Sequence, residues 1–123
     1  GLVSRHTIDE IHRRAGKTIT AAGGRGDAFF ICPHHPQEQC DCRKPRPGLL
    51  WQAANAYALA LEHCVFIGDA VTDFQAAQSV GCRSILVETG RQGAILRQAL
   101  AGVPGVTIVA DLAAAATLLL EGV

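Results

Sequence analysis

Four short apolar runs divide the chain, and they constrain its fold more strongly than any other feature of the sequence. They cover residues 28–31, 64–67, 84–87 and 106–109. A short continuous apolar run predicts a strand that is buried on both faces. The longer segments between the runs have helical features. Because strands alternate with helices, the sequence predicts an α/β fold with a largely parallel sheet.

The segments between the runs carry signals for helix ends. Thr7 and Glu10 match the capping-box pattern and predict the start of a helix. Pro47 suits the first turn of a second helix, which has apolar residues along one face. Thr72 and Asp111 are the predicted N-caps of later helices. Besides the helix that starts at Pro47, the predicted helices cover residues 7–22, 72–80, 92–101 and 112–121.

The composition excludes several functional classes. The 123 residues suit one domain, and their formal net charge is zero with histidine neutral. No basic run indicates binding to nucleic acid or to a membrane surface. No apolar stretch is long enough to span a bilayer, and the N-terminal segment has no signal-peptide core. We therefore expect a cytoplasmic protein that binds neither nucleic acid nor membranes.

Cysteines and histidines cluster in the loop that follows the first apolar run. Cys32, His34, Cys40 and Cys42 have the spacing Cys-x-His, five residues, Cys-x-Cys. Zinc binds four nitrogen or sulfur ligands in a tetrahedron, and three cysteines with one histidine are a common structural set. The sequence therefore predicts a closed zinc site that orders this loop. The alternatives are His35 as the histidine ligand, cysteines that bind no metal, and disulfides, which an odd cysteine count without a secretory signal does not favour.

The other two cysteines have a different setting. Cys64 and Cys82 each lie beside an apolar run, in the sequences HCVFIG and GCRSILV. In such positions cysteine behaves as a small hydrophobic residue. We expect both thiols to pack in the core.

A basic turn follows the last predicted zinc ligand. Arg43 and Lys44 come directly after Cys42. The guanidinium fork of arginine and the ammonium group of lysine both suit phosphate. A zinc site immediately before them would hold both side chains in fixed positions. On composition alone, however, a solvated basic turn is the better interpretation.

The second apolar run ends in Gly68-Asp69, which favours a phosphate site. Asp69 stands at the C-terminal end of a predicted parallel strand, the edge at which α/β sheets bind ligands. Its carboxylate is suited to Mg²⁺, which takes oxygen ligands and often shares phosphate oxygens. Asp73 lies one helical turn further on. It has two possible roles, as a secondary magnesium ligand or as a first-turn acid that stabilises the helix dipole.

The order of these motifs resembles the haloacid dehalogenase superfamily, in which a lysine before a helix is followed by a strand that ends in Gly-Asp-x-x-x-Asp. The additional sequences CPHHP, CDC and RKPRPG resemble its zinc-containing branch, which includes heptose 1,7-bisphosphate 7-phosphatases and histidinol-phosphate phosphatases. The resemblance covers nearly the whole chain. It implies a Rossmann-like parallel sheet and a magnesium-dependent phosphatase that acts on a small-molecule phosphate ester. A heptose bisphosphate is the first candidate substrate, and histidinol phosphate is the alternative.

The resemblance also implies a role for each candidate residue. Zinc would be bound by Cys32, His34, Cys40 and Cys42. Arg43 would recognise the substrate, Lys44 would stabilise the transferring phosphoryl group, and Asp69 would bind Mg²⁺. Two departures leave the substrate open. Ala70 stands where the heptose enzymes often have lysine, and the short zinc loop is nearer to the histidinol-phosphate form, whereas RKPRPG is nearer to the heptose form.

One catalytic motif of that superfamily is missing from the sequence. The family nucleophile belongs to an Asp-x-Asp-x-Thr motif at the end of the first core strand, and no two of the six aspartates have that spacing. We therefore expect residues 1–123 to be the C-terminal portion of a single phosphatase domain, lacking the first two core strands and without turnover of its own. Two further hypotheses are a non-catalytic, zinc-ordered phosphate-binding module and a zinc-stabilised structural domain.

Overall fold

A computed structural model describes residues 4–31 and 40–121 of the chain. The chain divides into two compact units, Gly1–Cys40 and Asp41–Val123. The first unit is built around one helix, α1 (Arg5–Ala21). The second unit contains the sheet and the other described helices.

The start of α1 is set by Ser4, and the predicted capping box at Thr7 is wrong. Ser4 Oγ accepts a hydrogen bond from the Thr7 backbone N–H at 3.1 Å, so the helix begins at Arg5. Glu10 completes no capping box because its carboxylate pairs with two arginines one turn further along. Beyond the other end of the helix, Gly23 has a φ of 87°, a conformation that glycine adopts without steric cost.

Residues 28–31 do not form the strand that their apolar character predicted. The chain from 24 to 31 has no regular secondary structure. A strand needs a neighbour that pairs with its backbone N–H and C=O groups, and the sheet in the described residues contains three other strands and no partner for 28–31. Phe29 instead stacks on His12 of α1, with ring centroids 4.4 Å apart.

Three parallel strands form the sheet of the second unit: β1 (Val65–Gly68), β2 (Arg83–Val87) and β3 (Val106–Val109). β2 lies in the middle, and both of its pairings are parallel. Parallel neighbours require crossover connections, which here contain helices. The structure confirms the predicted α/β class, and each strand lies within one residue of its predicted limits.

The described helices of the second unit are α2 (Gly48–Tyr57), α3 (Val71–Ser79), α4 (Leu96–Ala99) and α5 (Leu112–Leu120). Asp111 caps α5 as predicted, because its Oδ1 accepts a hydrogen bond from the Ala114 N–H at 2.8 Å. Pro47 is the N-cap of α2. α4 is shorter than the predicted 92–101, since residues 88–95 form turns that precede it. Within residues 4–31 and 40–121, no helix combines the length and the apolar character needed to cross a bilayer.

The core lies on both faces of the sheet because the side chains of β2 alternate between them. Leu86 packs with Phe74 and Leu96 on one face, and both leucines are fully buried. Ile85 packs with Ala115 of α5 on the other face. The central strand is therefore buried on both sides, as its continuous apolar run predicted.

Cys64 and Cys82 pack into the core as expected. Cys82 belongs to a buried cluster with Ala54 and Leu61, and Cys64 packs against that cluster. Burial, with a further contribution from nearby Cys64, raises the pKa of the Cys82 thiol above its usual value. The Cys82 thiol is therefore neutral at physiological pH and poorly nucleophilic.

Candidate functional site

A cleft of about 450 Å³ opens at the carboxyl edge of the sheet, where β1 ends. Asp69 follows the last residue of β1 directly, and its carboxyl group is at this edge because parallel strands all end on the same side. The cleft contains one ammonium group, two carboxyl groups and an apolar wall. Its lining residues are Lys44, Phe66, Ile67, Gly68, Asp69, Asp73, Val87, Thr89 and Leu112.

Asp73 is the buried carboxylate of this cleft. It is 2% exposed, and its Oδ2 accepts hydrogen bonds from the backbone N–H groups of Asp69 at 2.9 Å and Ala70 at 3.0 Å. These bonds tie the end of β1 to the first turn of α3. The N-cap role predicted for Thr72 is therefore wrong, because the carboxylate of Asp73 binds the N–H groups that precede the helix. Asp73 lies in the first turn of α3, the position that one of its two predicted roles requires.

Gly68 allows this arrangement by lacking a side chain. A Cβ atom built at Gly68 would overlap the carboxyl group of Asp73. Any larger residue at the end of β1 would therefore displace the buried carboxylate. This overlap explains why the Gly-Asp-x-x-x-Asp pattern has glycine at this position.

Lys44 binds the second oxygen of the buried carboxylate. Its Nζ lies 2.5 Å from Asp73 Oδ1, and the side chains of Lys44 and Asp73 are 46% and 3% exposed. The ammonium group thus pairs with a buried charge on one side and faces the open cleft on the other. A buried carboxylate is costly unless it is paired and hydrogen-bonded, and here Lys44 and two backbone N–H groups satisfy it.

The loop that carries Lys44 closes on itself. The Gly48 N–H donates to the Asp41 carbonyl at 2.8 Å, and the Arg46 N–H donates to the Arg43 carbonyl at 3.0 Å. A Cβ atom at Gly48 would overlap the Asp41 carbonyl, so the two ends of the loop can approach only because this residue is glycine. The basic turn of the sequence is therefore a short, hydrogen-bonded loop at the start of α2.

The structure brings together some of the predicted site residues. Lys44, Asp69 and Asp73 line one cleft, whereas Arg43 is exposed and is not among its lining residues. Both oxygens of Asp73 have hydrogen-bond partners, while the exposed carboxylate of Asp69 lies in the cleft. Of the two aspartates, Asp69 is the better placed to bind a metal ion.

The predicted zinc site lies only partly within the described residues. Cys32, His34 and the competing His35 lie outside them. Cys40 is half-buried and Cys42 is buried. Residues 4–31 and 40–121 contain no group of three or more histidine, cysteine or acidic side chains that could hold a metal. The zinc site therefore stays a prediction.

Two residues that sequence analysis did not single out contact the Asp69 loop. A Cβ atom at Gly90 would overlap the Asp69 carboxyl group. Gln92 Oε1 accepts a hydrogen bond from the Val71 backbone N–H at 2.9 Å. The only sequence signal for this region is the TGRQG segment after the β2 run, whose glycines mark a tight turn at the same sheet edge.

A protein-family profile described as HAD-hydrolase-like matches residues 41–115. The matched span contains the whole cleft, with Lys44, Asp69 and Asp73. The chain belongs to the haloacid dehalogenase-like hydrolase family. Membership in this family confirms the resemblance found in the sequence, and the parallel sheet is the architecture that the resemblance implied.

Curated relatives include several D-glycero-beta-D-manno-heptose-1,7-bisphosphate 7-phosphatases. The protein from Pseudomonas putida is 40% identical over 105 residues, which cover 85% of this chain and 58% of the relative. The protein from Bordetella bronchiseptica is 39% identical over 122 residues, which cover 98% of this chain and 67% of the relative.

A solved structure is also similar to this haloacid dehalogenase-like chain. It is the D,D-heptose 1,7-bisphosphate phosphatase from B. bronchiseptica, complexed with magnesium and phosphate. The TM-score is 0.87 at 38% identity, and the match covers 98% of this chain and 66% of that chain. This chain thus spans between 58% and 67% of the length of these three proteins.

We predict that the two aspartates of the cleft differ in their effect on stability. Asp73→Ala would leave two backbone N–H groups and Lys44 without their acceptor, and should lower the free energy of unfolding by about 1–3 kcal/mol. Asp69→Asn alters an exposed carboxylate at the same edge and should change the free energy of unfolding by less than about 0.5 kcal/mol. Urea denaturation followed by circular dichroism measures both. Equal stability of Asp73→Ala and the wild type would show that the buried carboxylate is not holding the site together.

Proposed function

We propose that this chain supplies the phosphate- and magnesium-binding part of a magnesium-dependent phosphatase. The observation that supports the proposal is the cleft at the carboxyl edge of the sheet, where Lys44 and Asp69 face the same space. A fixed ammonium group and a carboxylate that can bind a divalent cation are groups suited to binding a phosphate monoester and stabilising its charge.

Lys44 would bind a phosphate oxygen and stabilise the charge that develops during phosphoryl transfer. Preorganised cations act most strongly when they need not move as charge develops. The bond to Asp73 Oδ1 holds the Lys44 ammonium group at the edge of the cleft before any ligand arrives. Two further hydrogens of the ammonium group remain for a ligand, since lysine has three donors.

Asp69 would hold Mg²⁺. Its carboxylate fits the preference of Mg²⁺ for oxygen ligands, and one protein carboxylate is enough where phosphate oxygens and water complete the coordination shell. When bound, Mg²⁺ would neutralise phosphate charge and orient the ester. The proximity of Gly90 to the Asp69 carboxyl group limits where that carboxylate can lie.

The nucleophile of the reaction would come from outside these 123 residues. In the family that the sequence resembles, an aspartate of an Asp-x-Asp-x-Thr motif attacks phosphorus, and the sequence contains no such motif. We therefore assign binding and charge stabilisation to this chain and the covalent step to residues that it does not contain. The absence of the motif also supports a second candidate function, a phosphate-binding module without catalysis.

A heptose 1,7-bisphosphate is the proposed substrate. It is favoured over histidinol phosphate because the similar proteins from P. putida and B. bronchiseptica are named heptose bisphosphate phosphatases. Arg43 is exposed beside Lys44 and is proposed to contact the part of the substrate that lies outside the cleft. A cytoplasmic location stays a prediction of the sequence.

Zinc is proposed to have a structural role in the loop before Lys44. The donor set of Cys32, His34, Cys40 and Cys42 matches the chemistry of a closed zinc site. Zinc bound there would order the loop that leads into the basic turn. It would take no part in the reaction, because all four positions would be filled by protein ligands.

We expect phosphate binding to depend on Lys44. In isothermal titration with inorganic phosphate at saturating Mg²⁺, Lys44→Ala should weaken phosphate binding about 10- to 100-fold, the range for loss of a hydrogen bond to a charged group. Lys17→Ala is the matched control, because Lys17 is the other lysine of the chain and is exposed on α1.

The same titrations test the proposed metal ligand, and an assay for phosphate release tests the external nucleophile. Asp69→Asn should abolish the dependence of phosphate binding on Mg²⁺ without unfolding the protein. A heptose bisphosphate should bind to this chain without being hydrolysed. Phosphate binding that is equal in Lys44→Ala and the wild type would refute the proposed site, and turnover by this chain alone would refute the external nucleophile.

For zinc, we expect one metal ion per chain in elemental analysis of the purified protein. Cys40→Ser and Cys42→Ser should each lose it, because a four-ligand site is weakened by removal of any thiolate. Cys64→Ser is the matched control, since Cys64 packs against the core cluster. Zinc retained by both Cys40→Ser and Cys42→Ser would contradict the proposed ligand set.

A further inference from the structure

The turn that follows β2 contacts the loop that carries Asp69 in two ways. Gly90 lies so close to the Asp69 carboxyl group that a Cβ atom there would overlap it. Gln92 Oε1 accepts the backbone N–H of Val71, the first residue of α3, at 2.9 Å. The turn thus reaches across from the neighbouring strand to the start of α3.

Gln92 supplies an acceptor for one N–H group at this helix start. The first N–H groups of a helix have no partner within the helix and need acceptors from elsewhere. The N–H groups of Asp69 and Ala70 are bound by Asp73, which belongs to α3 itself. The next N–H group, that of Val71, is bound by Gln92, which lies 21 residues further along the chain. Gln92 therefore fixes the Asp69 loop relative to β2, which Asp73 alone does not do.

The turn is firmly attached to the sheet. The Glu88 N–H donates to the Val109 carbonyl at 3.0 Å, which extends the pairing of β2 with β3 by one residue. Arg97 Nε and Nη2 donate to the two carboxylate oxygens of Glu88 at 3.1 and 2.9 Å, and Nη2 also donates to the Ile108 carbonyl at 3.3 Å. A Cβ atom at Gly93 would overlap the Glu88 carbonyl, so the turn is tight.

We propose that Gln92 is a positioning residue for the metal-binding carboxylate of Asp69. Mg²⁺ requires nearly ideal octahedral geometry, so its affinity depends strongly on where a ligand oxygen lies. Asp69 is held between two restraints, Asp73 on its own side and the turn with Gly90 and Gln92 on the other. Without the Gln92 bond, the start of α3 keeps its link to the end of β1 through Asp73 but loses its link to the turn after β2, so the position of Asp69 is less restricted. The inference rests on the proposed role of Asp69 in binding Mg²⁺.

Two substitutions of similar size separate the hydrogen bond from the bulk of the side chain. Gln92→Met keeps the length of the side chain and removes the acceptor, whereas Gln92→Glu keeps an oxygen that can accept the Val71 N–H. Gln98→Ala, at an exposed position on α4, is the control for loss of a glutamine elsewhere. For each protein we would measure the Mg²⁺ dissociation constant in the presence of inorganic phosphate, the thermal midpoint, and the hydrogen-exchange rate of the Val71 amide by NMR.

We expect Gln92→Met to exchange the Val71 amide faster and to weaken Mg²⁺ binding about 3- to 10-fold, the range that corresponds to loss of one neutral hydrogen bond. Gln92→Glu and Gln98→Ala should both keep the exchange rate of the Val71 amide and the Mg²⁺ dissociation constant close to those of the wild type. An unchanged Val71 amide in Gln92→Met would overturn the inferred hydrogen bond. A faster-exchanging Val71 amide with an unchanged Mg²⁺ dissociation constant would overturn the positioning role alone.

Three other outcomes are also decisive. We expect the two variants to have equal thermal midpoints and only Gln92→Met to lose Mg²⁺ affinity. That result would show that Gln92 acts on the position of Asp69 and not on general stability. If Mg²⁺ affinity follows the thermal midpoint in both variants, the role of Gln92 is merely structural. A wild-type protein that binds no Mg²⁺ would refute the proposed function and the positioning role together.

Discussion

The buried carboxylate of Asp73 is the group on which the rest of the site depends. Moving a charge out of water costs several kcal/mol unless partners compensate it, and Asp73 is 2% exposed. Its partners come from two places: the residues between β1 and α3, and Lys44 in the loop before α2. Each of these segments is therefore held where the carboxylate needs it, and the cleft is the space that they enclose.

In the proposed function, the two aspartates of the Gly-Asp-x-x-x-Asp pattern have different roles, a structural one for Asp73 and ligand binding for Asp69. Asp73 uses both oxygens within the protein, whereas Asp69 exposes its carboxylate to the cleft. Their spacing places them one helical turn apart, which lets the second aspartate cap the loop that carries the first. Lys44 connects the two functions, because it neutralises Asp73 and is half-exposed toward the cleft.

The strands were predictable because a buried central strand requires a continuous apolar run, and β2 is such a strand. Pairing was not predictable in the same way: residues 28–31 have the right composition, but a strand also depends on its neighbours.

The caps assigned to Thr7 and Thr72 failed because a capping role depends on which N–H groups a side chain can reach. Gln92 was missed because its bond joins segments far apart in sequence. Cys32 and His34, two of the predicted zinc ligands, lie outside the described residues, so that site remains a prediction from spacing.

The central claim is that Asp69 binds the metal while Asp73 holds Lys44 against the phosphate. A crystal structure of this protein grown with Mg²⁺ and inorganic phosphate tests it most directly. We expect a metal ion about 2.1 Å from an Asp69 carboxylate oxygen and a phosphate oxygen about 2.8 Å from Lys44 Nζ, with the hydrogen bonds of Asp73 retained. A metal ion bound to Asp73, or a phosphate bound away from Lys44, would contradict this division of roles.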